Sequence, residues 1–377
     1  MRIVYCFPSL KILALIVLAV CLPGTGAHAA PAAPLLSAEA ILDVHWMPDS
    51  KSLAVNTDQG LVLVEPHGPR TLIPANGDLS PQGDAIVFED PPGRVRLKKL
   101  TDGAVLDLGL NGARPVWSPA PGLFAYYASG ECPAPAAGTA APYCPPPGLV
   151  AADMAAGELV PLVQGLAAGD DFAWLPQASG VVYFHQGELG VARRSTASNT
   201  VLMNRLPFPC PDAAPCRASV AAAANAPRVA AFLFNDLDGD HAWTADDAVS
   251  LFAFNPDSGE MLYHYDYAWF LSGAELAAGV RPEGIAWRAD GSVLTYVGRD
   301  NTGFFLGFVP FSGNLPATVL RLPAMPALPR WSPNGETLAY VLLRGDAYSP
   351  TGAMAELHVM PFANLAAPAG SAPPSAR

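Results

Sequence analysis

The sequence predicts an all-β fold, a β-propeller of four-stranded antiparallel blades, on three observations. Proline supplies 40 of 377 residues, about twice the usual ~5%. Each interior proline removes a helix N–H and clashes with the preceding turn, which disfavours helical bundles, coiled coils and parallel α/β folds. A short phrase recurs along the chain with a constant internal register. Its copies are spaced like the ~40–50-residue units of four-stranded blades.

The N-terminus is a targeting segment. Arg2 and Lys11 supply positive charge, and Ile12 to Leu22 form an unbroken apolar run that falls short of the ~20 residues a bilayer requires. Ala27-His28-Ala29 is a small-x-small cleavage pattern, so residues 1–29 are predicted to be a signal peptide cut after Ala29. Leu18-Ala19-Val20-Cys21 loosely resembles a lipidation box, with bulky Val20 where a small residue belongs. Losing Arg2 and Lys11 takes the formal charge from −12 to −14. That balance argues against nucleic acid as a partner, because phosphate binding needs a basic footprint. No later stretch reaches transmembrane length. The expected product is a monomer in the periplasm or secreted, with residues 30–362 forming the propeller.

The recurring phrase is an aromatic residue, a polar turn with Pro, Asp or Gly, then a short apolar strand. Its first and last markers are Trp46 and Val55, Leu79 and Phe88, Trp117 and Tyr126, Trp174 and Tyr183, Trp287 and Tyr296, and Trp331 and Tyr340, an interval of nine residues each time. Ala223 and Phe232 mark a degenerate seventh copy, with Asn225-Ala226-Pro227 as its turn. Five of the seven tryptophans hold the first position, so these are repeat residues rather than unrelated core tryptophans of a sandwich. Six intervals between Trp46 and Trp331 average 47.5 residues, which makes seven blades the expected number.

The last complete unit shows the expected blade. Ile285–Trp287, Val293–Val297, Phe304–Val309 and Thr318–Leu322 read as four strands, with turns at Asp290-Gly291, Asn301-Thr302-Gly303 and Ser312-Gly313-Asn314. Asp-Gly and similar pairs between apolar runs mark hairpins, because the primed turns need positive φ. The final unit offers Arg330-Trp331, Thr337–Leu342 and Glu356–Met360 and then enters Ala363–Arg377, a Pro/Ala/Ser tail predicted to be disordered. It lacks a fourth strand, while Pro34–Ile41 is spare ahead of the first unit. The N-terminal segment is therefore expected to complete the last blade and cover its open edge.

Trp331-Ser332-Pro333-Asn334-Gly335-Glu336-Thr337-Leu338-Ala339-Tyr340 resembles the TolB-type (WD40-like) β-propeller repeat throughout, and Trp117-Ser118-Pro119 resembles it in part. The resemblance spans nearly the whole mature chain and implies a propeller. It also implies, more weakly, a role in envelope integrity: the family's namesake is a periplasmic protein that binds a peptidoglycan-associated lipoprotein. That protein has six blades and an N-terminal α/β domain, whereas this chain reads as seven units with no room for the extra domain.

Four cysteines remain after the signal leaves. Cys132 and Cys144 bracket one Pro/Ala/Gly-rich insert, and Cys210 and Cys216 bracket a shorter one. Local pairing into two disulfides suits an oxidising compartment, and the spacings do not form the paired hooks of a zinc site. The densest acidic stretch places Asp236, Asp238, Asp240 and Asp247 at positions 1, 3, 5 and 12 of an EF-hand-like loop. Ala242 would offer its carbonyl and Thr244 a hydroxyl or bridging water, giving an oxygen set suited to Ca²⁺. His241 stands where Gly normally makes the sharp turn. The alternative is a solvated acidic loop, which would leave three carboxylates in five residues without a neutralising partner. The calcium is expected to stiffen a hairpin.

Catalytic motifs are sparse. The chain has no G-x-S-x-G elbow, H-E-x-x-H pair, P-loop or Rossmann fingerprint. His45, His67, His185, His241, His264 and His358 are scattered. Asp170-Asp171 and Glu89-Asp90 read as an acid/base pair or equally as polar turns. Tyr263–Phe270 reads as an aromatic recognition platform or as a fourth strand packed between blades. The expected function is a non-enzymatic exported scaffold that binds protein or glycan at a propeller rim. The alternative is a metal-dependent lyase or hydrolase acting on envelope or extracellular polysaccharide or peptide. The two differ in whether His, Asp and Glu from separate blades converge at one mouth of the channel.

Overall fold

The computed structural model describes residues 33–363 except 66–70, 74–76, 92, 132–143, 168–170, 186, 196–197, 205–218, 236–247, 268–283, 301, 312–316 and 345–353. Among these residues the regular structure is almost wholly antiparallel strand, and no helix is long and apolar enough to cross a membrane.

The strands follow one another as repeated meanders. β1 (Leu36–Ala38) leads into β2 (Ile41–Trp46), β3 (Leu53–Thr57), β4 (Gly60–Val64) and β5 (Thr71–Ile73), and β2 to β5 form the first four-stranded sheet. Next come β6 (Asp78–Leu79), β7 (Ala85–Asp90), β8 (Arg94–Lys99), β9 (Val105–Trp117), β10 (Leu123–Ala128), β11 (Gly148–Asp153) and β12 (Glu158–Gln164), joined in one seven-stranded sheet. Three more four-stranded sheets follow. One is β13 (Asp171–Trp174), β14 (Gly180–His185), β15 (Glu188–Arg193) and β16 (Ser198–Asn204). The next is β17 (Ser219–Ala222), β18 (Val229–Asn235), β19 (Ala248–Phe254) and β20 (Met261–Tyr267). The third is β21 (Ile285–Trp287), β22 (Val293–Asp300), β23 (Gly303–Pro310) and β24 (Thr318–Leu322). The last sheet holds β25 (Met325–Trp331), β26 (Thr337–Arg344) and β27 (Met354–Pro361), and β1 pairs with β27 in the register Leu36 to Leu357.

The seven-stranded sheet departs from the expected row of separate four-stranded units. β9 runs on as a single 13-residue strand, pairing β8 with its first half and β10 with its second. Gly109 takes φ +67° within it, and a Cβ on Gly112 would collide with the ring of Tyr126. Glycine lets the strand turn and approach its neighbour closely enough to stay hydrogen-bonded across the junction.

The repeat is explained by local chemistry. The buried Ser332 hydroxyl accepts the Thr337 N–H at 3.0 Å and donates to Asn334 Oδ1 at 2.7 Å, closing the turn from β25 to β26. Ser80 does the same work ahead of β7, donating to Asp84 Oδ1 at 2.7 Å. Gly335 sits at φ +70°, a left-handed conformation that only glycine takes without cost. The strand after each turn is covered on both faces, and β3 and β10 are buried at every residue. Such strands read as continuous apolar runs rather than alternating ones.

The hydrophobic core lies between sheets. Leu61 and Leu79 share one cluster; Tyr127 and Tyr183 a second; Val191 and Phe252 a third; Phe232, Leu294 and Leu338 a fourth. The last sheet meets the first through Val341 and Leu357 against Val44 and Val55. The first strands of neighbouring sheets lie side by side, β13 by β17, β17 by β21, β21 by β25 and β25 by β2.

Candidate functional site at the inner strands

In a first strand without a bulge, alternation puts the residues one and three places before the repeat marker on one face. One place before, the chain supplies His45, Asp78, Val116, Ala173, Ala222, Ala286 and Arg330. Three consecutive members, Arg330, His45 and Asp78, are charged or ionisable, and the rest are small and apolar. Three places before stand Asp43, Arg114, Asp171, Val220, Gly284 and Leu328.

These positions link one first-strand segment to the next. Arg330 donates to Asp43 Oδ1 at 2.9 Å. His45 places Nε2 3.3 Å from Asp43 Oδ2 and Nδ1 3.2 Å from Asp78 Oδ1. Asp78 Oδ2 accepts the Trp117 N–H at 2.5 Å. Arg114 reaches Asp171 Oδ1 at 3.8 Å, its backbone N–H meets Glu89 Oε2 at 3.3 Å, and its guanidinium lies over the Tyr127 ring. Asp171 Oδ2 in turn accepts the Val220 N–H at 2.9 Å. Arg114 and Leu328 hold φ +46° and +48°, the left-handed region, each at a bulge just before a proline.

The electrostatics follow from this crowding. Burial opposes charge on His45, but the Asp43 and Asp78 carboxylates outweigh it and push its pKa up to about 9. Burial raises Asp78 to about 6, partly offset by His45 and the Trp117 N–H. Burial would also raise Asp43, yet His45 and Arg330 together hold it well below the usual carboxylate range.

The repeat tryptophans stitch sheets the other way. Trp46 Nε1 donates to the Arg330 carbonyl at 2.9 Å, Trp174 Nε1 to the Val116 carbonyl at 3.2 Å and Trp331 Nε1 to Thr295 Oγ1 at 2.9 Å. Among the described residues, the buried indole N–H groups of Trp117 and Trp287 have no hydrogen-bond partner. A further tie is a Pro-Phe pair ending two third strands. Phe311 packs on Trp287 under Arg228, and Phe362 packs on Trp331 under Arg288.

The residues predicted for calcium, Asp236, Asp238, Asp240, Ala242, Thr244 and Asp247, lie outside the described residues, as do His67, His241, Asp170, Cys132, Cys210 and Cys216. Cys144 is disulfide-bonded. Among the described residues no group of three or more His, Cys, Asp or Glu is arranged to hold a metal ion. Of the scattered histidines, His45 joins the inner cluster. His264 stacks on Phe252 at 4.5 Å, and buried His358 stacks on Tyr340 with Glu356 3.2 Å away. Asp171 belongs to a strand rather than a turn, and Glu89 and Asp90 end β7. Tyr263 to Tyr267 fall in a fourth strand, with Tyr263 packed edge-on against Phe311 of the next sheet and Tyr265 half exposed. Asp43, Asp78, Arg114 and Arg330 were not singled out from sequence. Their signal was available as the positions one and three before the repeat marker.

No family profile matches the chain, and no curated protein matches it. Solved structures do. A chain from "Crystal Structure of Mitotic Checkpoint Complex" is similar over 93% of this chain and 99% of its own, with TM-score 0.53 and 11% sequence identity. In all, 806 solved chains match the structure, and a fold that recurs widely carries no single activity. Sheet order, inter-sheet cores and structural likeness together make this chain a β-propeller.

Proposed function

We propose that the chain is an exported, seven-bladed propeller closed by its own termini, which works as a binding scaffold for protein or glycan with a structural Ca²⁺ in one rim loop. Counting β9 as both the fourth strand of one blade and the first of the next would give seven blades, which supports that number. Pairing of β1 with β27, and packing of β25 on β2, support closure.

One observation carries the binding reading. The five longest connections, β10 to β11, β16 to β17, β18 to β19, β20 to β21 and β26 to β27, all join a second strand to a third or a fourth to the next first. In an antiparallel meander those connections leave from the same edge of the sheets. The strand ends that flank the acidic stretch and both cysteine-bearing inserts therefore lie at one edge of the sheets, where insertions can decorate a rigid support. Pairing of Cys132 with Cys144 and of Cys210 with Cys216 would staple two of them.

The test is retention of envelope proteins and glycans by the immobilised mature chain, with calcium and with chelator, against a variant carrying a Gly/Ser linker in place of residues 236–247. A ligand held by the native rim and lost from the variant supports the reading. Undiminished binding by the variant removes the acidic loop from it.

A second reading, a propeller enzyme, is favoured by the meeting of Asp43, His45 and Asp78 from two sheets with perturbed acidities, a pattern common at active sites. Against it, each of these groups is engaged in joining one sheet to the next. Turnover of envelope glycans or peptides that is abolished by Asp78→Asn without loss of fold would establish the enzyme.

A further inference from the structure

The surroundings of His45 fix its protonation state by geometry. Both ring nitrogens lie within hydrogen-bond reach of carboxylate oxygens, 3.2 Å to Asp78 and 3.3 Å to Asp43. An ionised carboxylate only accepts, and a neutral imidazole donates from only one nitrogen. With both carboxylates ionised, the imidazolium alone satisfies both contacts. A neutral ring would set a nitrogen lone pair against an oxyanion.

The two carboxylates are themselves tied outward. Asp43 receives the Arg330 guanidinium from the last sheet, and Asp78 receives the Trp117 N–H from the far half of β9. His45 is thus the middle link of a chain running Arg330, Asp43, His45, Asp78, Trp117 through four first-strand segments. The position of Asp78 is set from the first sheet as well. Asn56 of β3 donates to the Gly77 carbonyl at 2.8 Å and accepts the Gly77 N–H at 3.2 Å. A Cβ on Gly77 would meet Ile86 Cγ2 at 2.5 Å, so glycine is needed for that approach.

We propose that this chain of contacts is a proton-operated latch between the last, first and second sheets, closed while His45 is an imidazolium and loosened when the ring loses its proton. The charged groups facing His45 are Asp43 on its own strand, Asp78 on β6 and Arg330 on β25. Asp78 faces His45 and Asp43. Two carboxylates against two cations leave the cluster neutral when closed. Deprotonation leaves one net negative charge on the cluster, and the ring, with a single N–H, can then donate to only one of the two carboxylates.

The pH window follows from the signs. A His pKa raised from 6.5 to about 9 contributes stability that is complete below about 6.5 and lost as pH rises through 9. Asp78, raised from 3.8 to about 6, adds stability as pH falls from 6 towards 4. Asp43, depressed, loses its contribution only as pH falls below the ordinary carboxylate range. With both carboxylates ionised and His45 protonated, the latch is closed from about pH 6 to 9 and opens on the alkaline side.

The experiment uses the mature chain with ¹³C-labelled histidine, following the His45 ring resonance from pH 5 to 10 and assigning it by its absence in His45→Gln. Titration near pH 9 is expected; titration at or below 6.5 overturns the proposal. Thermal unfolding of wild type and His45→Gln over the same range gives an independent reading on whether the latch matters. The wild-type midpoint should fall between pH 6.5 and 9.5 while the variant stays flatter, and superimposable profiles overturn the proposal. Amide exchange, corrected for its intrinsic pH dependence, should rise above pH 9 in 41–46 and 325–331 before it rises in 293–310. A uniform rise contradicts a local latch.

Discussion

Trp46 and Trp117 hold the same place in the repeat, yet the structure predicts opposite hydrogen-bond consequences for Trp→Phe at the two sites. At Trp46 the change removes the donor that binds the Arg330 carbonyl across the first and last sheets, a loss worth about 1–3 kcal/mol once the acceptor is left short. At Trp117 the buried indole N–H has no partner among the described residues, so removing it recovers about 1–3 kcal/mol of desolvation. Packing argues the other way, because Trp117 is 8% exposed while Trp46 is only partly buried. Trp→Phe removes little surface, however, and the difference in burial is worth about 0.3 kcal/mol at ~25 cal/mol per Å². The hydrogen bond wins. Trp46→Phe should be less stable than Trp117→Phe by roughly 4 kcal/mol, the loss at one site added to the gain at the other. Urea unfolding of the mature chain, followed by circular dichroism and fluorescence together, measures this if the m-value is unchanged. Trp331→Phe, which strips the donor from buried Thr295 Oγ1, should follow Trp46. Trp287→Phe should follow Trp117. If Trp117→Phe is as damaging as Trp46→Phe or worse, packing governs the repeat position and the stitching argument fails.

Gly335→Ala forces a side chain into φ +70°, with its Cβ 2.6 Å from Arg288 Nε. It should cost about 1–3 kcal/mol and free the Arg288 guanidinium from the Gly335 carbonyl, read as a lower urea midpoint. Phe232→Ala opens a cavity at a fully buried ring among three sheets. A loss of about 3–5 kcal/mol is expected, and a loss below 1 kcal/mol would show that the site is not close-packed. If the acidic loop binds calcium, the melting temperature should rise in calcium over chelator, by the equivalent of ~2.7 kcal/mol at a hundredfold excess over Kd. Asp238→Asn with Asp240→Asn should abolish that rise, and identical melting of wild type in both conditions would remove the calcium site.

What the sequence determined is what short-range physics controls. A serine that closes its own turn, a glycine at positive φ and an apolar run covered on both faces act within about ten residues. The nine-residue register therefore survives even where Ala223 and Phe232 replace the usual markers. The strands read at Ile285–Trp287 and Thr318–Leu322 appear with those bounds, and Pro34–Ile41 contains the strand that pairs with β27. The run-on of β9 was less legible, because it depends on how closely Gly112 approaches Tyr126 of the neighbouring strand. The inner cluster was decided by tertiary structure alone. Arg330 and Asp43 stand 287 residues apart, and no local preference in either strand favours a charge there. Only when neighbouring sheets turn their first strands together do alternate residues face each other, and that encounter makes a guanidinium, two carboxylates and an imidazolium one electrostatic unit.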